Sequence, residues 1–296
     1  MRMKIIKSLL SFLFICVTLS QLVGGNPNKD SIAFVDGLWK QEHILPGVTL
    51  KQIQFEQKEL FASNQSIHLI EISPGAARFA LAAEPLLTTT ADLAQTRDAL
   101  AAVNGSFFKF NYTPNTEDYN SVDYLRIHNL RLADNTYSPT GQRMRHQEGA
   151  VAILDGALYI VKATTEKGWE AYIYSQEVLS SGPLLAIDGR LEPLRNESFY
   201  TTRHPRTVVA KKKDGTVILF VVDGRHAQAE GMSLEEVQKT LVWLGAKDIL
   251  NFDGGGSTTM YVKGKEGDGV VNHPSDNQKF DHLGSRRVAN ALCIIY

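Results

Sequence analysis

The chemistry in this 296-residue chain concentrates where acids stand beside glycines. Asp253-Gly254-Gly255-Gly256-Ser257-Thr258-Thr259 is the strongest local signal. Three successive glycines serve poorly inside a helix or strand. They suit a bend where main chain approaches a ligand and N–H groups converge on an anion. Ser257 and Thr258 add hydroxyls; a flexible hairpin tip is the bland alternative. Asp223-Gly224-Arg225 supplies a second acid and a cation. In Asn104-Gly105-Ser106-Phe107-Phe108, the Asn104 amide could meet a sugar hydroxyl or phosphate oxygen, although Asn-Gly is also a plain turn signal. Ser181-Gly182-Pro183 is a weaker oxyanion candidate. Arg206, in His204-Pro205-Arg206-Thr207, is the preferred phosphate ligand, because a guanidinium can grip two oxygens at once. Arg286-Arg287 is a lower-ranked basic pair, with Arg287 taken as the binding residue.

Other chemistries lack their patterns. The glycine spacing is wrong for a dinucleotide fingerprint or a phosphate loop, and no GxSxG elbow is present. The histidines are scattered without HExxH-type spacing, so no obligatory metal is expected. Asp223 with Asp253 could hold a hard divalent cation such as calcium.

The elements that must position these residues are mostly strands. Strand-like runs include Ser66–Ile72, Ala101–Val103, Val217–Val222, Asp248–Phe252 and Ala289–Ile295, with hairpin signals at Asp155-Gly156, Asp188-Gly189 and Asp214-Gly215. One helix is expected from Thr89 to about Leu100. A clearer one starts at Ser233, where Ser233 and Glu236 form a capping box and Leu234, Val237, Leu241 and Leu244 recur at helical spacing. Strand, helix, strand in that order predicts a βαβ unit with parallel strands. It would deliver Asp223 and Asp253 to one sheet edge, where α/β folds bind ligands. The expected fold class is α/β (mixed α+β), a single domain on a mixed sheet with few helices.

Composition is ordinary for a globular chain, at 43% hydrophobic and 21% charged. A net charge of −1 gives no global pull toward nucleic acid or anionic membrane. Arg2, Lys4 and Lys7 precede an apolar run and then Gly24-Gly25, the pattern of a signal peptide over residues 1–25. Export to periplasm or exterior is therefore expected, with no membrane span in the mature chain. A lipid on Cys16 is disfavoured, since Ile15 stands where a small residue is wanted. The other cysteine, Cys293, reads as a buried small hydrophobe in a last strand. Residues 26–64 form an N-terminal segment without an assigned role, and 65–296 the catalytic domain.

Together the motifs resemble the phosphodiester glycosidase family. The matching stretches are Asn104–Phe108, Ser181–Pro183, Pro205–Thr207, Val222–Arg225, Gly231–Ser233, Asn251–Thr259 and Arg287–Ala291. Ser106 and Ala210 depart from it, each standing where the family usually has glycine. The resemblance implies hydrolysis of a sugar-1-phosphodiester, such as one of N-acetylglucosamine, to free sugar and a phosphomonoester. Phosphate departs as a stable anion, so strong general acid catalysis is less needed than charge complementarity. The expected phosphate ligands are the Gly254–Ser257 amides, Arg206 and Ser181, with Asn104 and Arg225 orienting the substrate. Asp253 or Asp223 would stabilise the sugar cation or activate water. A phosphodiesterase breaking phosphorus–oxygen bonds and a non-catalytic phosphoglycan-binding module remain open.

Overall fold

The computed structural model describes residues 28–110 and 119–296. The expected signal segment and Cys16 lie outside the described residues. An eight-stranded sheet is its backbone, in the order Lys40–Leu45, Val48–Leu60, Ser63–Ile72, Val217–Val222, Arg206–Lys212, Ala246–Asn251, Leu184–Ile187, Arg190–Leu191. A five-stranded sheet (Leu130–Ala133, Leu125–Ile127, Glu177–Ser181, Gly149–Leu154, Ala157–Lys162) and a four-stranded one (Met260–Val262, Ala101–Asn104, Arg287–Ile295, Arg78–Thr89) complete the strands.

Both faces of the large sheet are covered, so its central strands are apolar throughout rather than alternating. Along Val217–Val222, Val217, Leu219 and Val221 enter the core shared with the smaller sheets. Ile218, Phe220 and Val222 enter the core beneath the helices. Helix Leu234–Trp243 lays Leu234, Val237 and Leu241 on that second face. Its start is fixed as the sequence implies. Ser233 Oγ accepts from the Glu236 N–H and the Glu236 carboxylate accepts from the Ser233 N–H. The other expected helix is shorter, Thr90–Thr96, because Asp98 turns to φ 47°.

The strands flanking helix Leu234–Trp243 are not neighbours. Arg206–Lys212 lies between them and runs antiparallel to each. Two antiparallel steps restore the direction, so Val217–Val222 and Ala246–Asn251 are parallel at one remove. Asp223 and Asp253 therefore leave the same edge of the sheet, as expected, with the start of the Arg206 strand between them.

Residues 40–60 belong to the main sheet: Val48–Leu60 pairs with Ser63–Ile72 along most of its length. The proposed boundary at 64/65 falls inside strand Ser63–Ile72. Cys293 sits in Arg287–Ile295 between Ala80 and Ala102 of the adjacent strands, fully buried, and burial pushes its thiol up to about 12. No helix among the described residues is long and apolar enough to cross a membrane.

Candidate active site

Asn104 ends strand Ala101–Asn104 and is completely buried. Its Oδ1 accepts from Thr207 Oγ1 at 2.7 Å and from the Thr259 N–H at 3.1 Å, while Nδ2 donates to the Asp253 carbonyl at 2.7 Å. The amide is thus committed to joining the strand edges around the glycine run, and is not free to bind a sugar. Gly105 follows for a steric reason: a Cβ there would lie 2.0 Å from Asn290 Oδ1. Its carbonyl accepts from the Asp253 N–H at 3.0 Å. Asn104 and Gly105 brace Asp253 from behind.

The glycine run differs from a simple amide cup. Gly254 donates its N–H to Asp253 Oδ1 at 2.9 Å, and Gly255 donates to the Pro205 carbonyl at 2.9 Å. The run is glycine chiefly because other groups press on it. A Cβ on Gly254 would lie 2.6 Å from the Pro205 oxygen, and one on Gly255 2.7 Å from Arg225 Nη2. On Gly256 it would lie 2.2 Å from Arg286 Nη2. Two arginines therefore rest against the run. Arg225 is exposed, with φ 63°. Arg286 forms a two-pronged pair with Asp276 at 2.7 and 2.6 Å and stands 4.9 Å from the Phe110 ring centre.

Burial pushes the Asp253 carboxyl up to about 6, although the Ser257 hydroxyl, the Gly254 N–H and Arg286 pull it back. The charge that adds to the rise is Asp123. Asp123 is fully buried, and burial lifts it also to about 6 against the opposing pull of His146. His146 Nδ1 is hydrogen-bonded to Asp123 Oδ1, and the Phe107 N–H donates to Oδ2 at 3.2 Å. The His146 ring lies 5.0 Å from that of Phe107. Sequence reading missed this dyad. Its members stand 23 residues apart, and no turn motif flags either one.

Asp223 has its own set of hydrogen-bond partners, different from those of Asp253. Its Oδ2 is met by Ser66 Oγ at 2.8 Å and by His68 Nε2 and His273 Nδ1, each at 3.0 Å. Oδ1 accepts from Asn272 Nδ2 and the His273 N–H, both at 2.9 Å. Burial alone would raise its pKa, but the two imidazoles outweigh that and hold it below the usual carboxylate range.

Four expected ligands are placed elsewhere or otherwise engaged. Arg206 is buried with Nε donating to the Met232 carbonyl and Nη2 to those of Phe199 and Thr202. Burial, then Arg225, pushes its guanidinium down to about 10. It fastens loops and has lost these donors for phosphate. Ser181 Oγ donates to the Asn251 carbonyl at 2.9 Å, and Gly182 packs where a Cβ would meet the Arg145 oxygen at 2.3 Å. Arg287 is exposed on the strand paired with Thr89, while its neighbour Arg286 holds the place at the glycine run. Thr258 is buried, and its hydroxyl has no partner among the described residues.

A sheet edge bearing a glycine run, two arginines and coupled carboxyls defines a class rather than one substrate. The phosphodiester glycosidase family model matches residues 97–295, and the chain belongs to that family. Two curated relatives match over about a third of this chain. N-acetylglucosamine-1-phosphodiester alpha-N-acetylglucosaminidase of Mus musculus is 31% identical over 98 residues, covering 32% of this chain and 18% of its own length. The SPbeta prophage-derived uncharacterized protein YomE of Bacillus subtilis (strain 168) is 30% identical over 94 residues, covering 32% and 13%. The chain thus spans less than a fifth of either relative. Among solved structures, the zebrafish N-acetylglucosamine-1-phosphodiester alpha-N-acetylglucosaminidase catalytic domain, auto-inhibited by its pro-peptide, superposes with a TM-score of 0.64 at 20% identity, covering 86% of this chain and 85% of that one. A hypothetical protein from Synechocystis gives 0.59 at 15%, covering 86% and 63%. These likenesses establish the fold.

Proposed function

We propose that the chain hydrolyses the glycosidic carbon–oxygen bond of a sugar-1-phosphodiester, releasing free sugar and a phosphomonoester. N-acetylglucosamine, the sugar in the mouse relative's name, is the first candidate. The observation that carries this reading is the place of Asp253 at the head of a glycine run against which Arg225 and Arg286 rest, with burial pushing its carboxyl up to about 6. A base with that pKa is ionised at neutral pH yet still able to take a proton.

In the proposed step, a water oxygen bonds to the anomeric carbon and gives its proton to the Asp253 carboxylate. The bond from that carbon to the phosphate oxygen breaks, and its electron pair leaves with the phosphate. Arg225 and Arg286 meet the charge that builds there, the place where aimed donors lower a barrier most. His146, with Nδ1 committed to Asp123, keeps Nε2 for a hydrogen bond to the substrate. The apolar run and basic start of residues 1–25 support export of this hydrolase.

Hydrolysis of a chromogenic N-acetylglucosamine-1-phosphodiester in ¹⁸O-water tests the bond broken. Label in the sugar is expected; label in the phosphate would establish phosphorus–oxygen cleavage instead. Asp253→Asn and Asp123→Asn should each lose about 10²-fold or more in kcat. Near-normal turnover by both folded variants would overturn the assignment, and binding without turnover by the wild type would mark a recognition module.

A further inference from the structure

The group around Asp223 is chemically distinct from the proposed reaction site. His68, Asp223 and His273 each offer one ligand atom, and these atoms all lie within 4.8 Å of one another. They come from three parts of the fold: strand Ser63–Ile72, the end of strand Val217–Val222, and the loop after Val271. We propose that these residues bind a first-row divalent metal ion of the zinc type, with water completing its coordination.

Three observations carry this. The first is edge length. Ligand atoms about 2.1 Å from one ion lie about 3.4 Å apart at tetrahedral angles and about 3.0 Å apart at right angles, so ligand pairs of a first-row ion fall within that range. Asp223 Oδ2 is 3.0 Å from His68 Nε2 and 3.0 Å from His273 Nδ1.

The second is aim. The other carboxylate oxygen is pinned by Asn272 Nδ2 and the His273 N–H, so Oδ2 is held toward both rings. Gln52 Nε2 stands 3.0 Å from His68 Nδ1. Coordination through Nε2 puts the ring proton on Nδ1. Turning the Gln52 amide end for end, at the loss of its long 3.4 Å bond to the Val271 carbonyl, then offers it an acceptor, the outer support that metal-bound histidines usually have. Two imidazoles and one carboxylate suit zinc and its first-row neighbours better than calcium.

The third is access. A cavity of about 350 Å³ is lined by Gln52, Ser66, His68, Val271, His273 and His282, among others. It gives an ion and its waters a way in.

The location implies a supporting role. Asn272 bonds Asp223 and also donates to the Thr258 carbonyl at 3.1 Å, while its Oδ1 accepts from the Met260 N–H. A cation at Asp223 would stiffen the chain that leaves the glycine run.

The test uses the full chain freed of metal by a chelator, titrated with Zn²⁺ and with Co²⁺. One equivalent should bind, the melting temperature should rise by about 5 °C at saturation, and bound Co²⁺ should show ligand-field absorption in the visible. His68→Gln and His273→Gln should each weaken binding by more than about 100-fold, beyond the loss an outer support gives. His43→Gln, at an exposed histidine bonded to Thr49, should bind normally. If either site variant misfolds, long-range ¹H–¹⁵N spectra of the wild-type chain decide, with Zn²⁺ expected to shift the ring nitrogens of His68 and His273. Absence of stoichiometric binding, unchanged affinity in both folded variants, or shifts confined to other histidines would overturn the proposal.

Discussion

Asp253 and Asp123 are carboxyls held at about 6, and that has two opposite consequences. For the proposed reaction the ionised form of Asp253 is the base, so kcat should fall as pH drops through about 6. For folding the sign reverses. A carboxyl whose folded pKa lies above its unfolded value binds its proton more tightly in the folded state. The stability this contributes is complete below about pH 4 and is lost as pH rises through about 6. Asp253→Asn, which cannot ionise, should therefore be more stable than wild type at pH 7 by about 1–2 kcal/mol, after allowing for partial solvent exposure. The gap should close near pH 4. Melting curves at both pH values check the sign; equal gaps would mean that burial does not strain the carboxylate. A residue that reduces stability while serving turnover is expected at a working site.

At the scale of elements, much was legible. The capping box at Ser233, the glycine run and the strand edge bearing both acids follow from local patterns. Helix Leu234–Trp243 forms as read because its apolar spacing and cap agree. Ser233→Ala removes the Oγ acceptor of the Glu236 N–H and should lower stability by about 1 kcal/mol, measured by denaturant titration. What was not legible depends on partners distant in sequence. Arg206 carries the charge of a phosphate ligand, yet its listeners are carbonyls of Phe199, Thr202 and Met232, which no spacing reveals. The Asp123–His146 dyad closes over 23 residues, and His68 meets Asp223 across 155. Arg286 and Arg287 are adjacent, yet Arg286, just before the strand, is held at the glycine run by Asp276 while Arg287, the first residue of the strand, is exposed.

At the scale of the molecule, the N-terminal segment is structural. Phe34, in helix Lys29–Val35, is fully buried. Its ring lies 5.2 Å from that of Trp39 and 6.1 Å from that of Trp243, in the helix that links the two acid-bearing strands. Phe34→Ala should cost about 3–5 kcal/mol through the cavity it leaves. Urea unfolding should show this as a lower midpoint with an unchanged slope.

The enclosed thiol of Cys293 gives the folded chain an internal clock. Its sulfur stays protonated on a sheet face covered by Ala91, Leu93 and Ala94 of helix Thr90–Thr96, so an alkylating reagent can reach it only after that packing opens. Each modified molecule then records one passage through an open state, without any engineered probe.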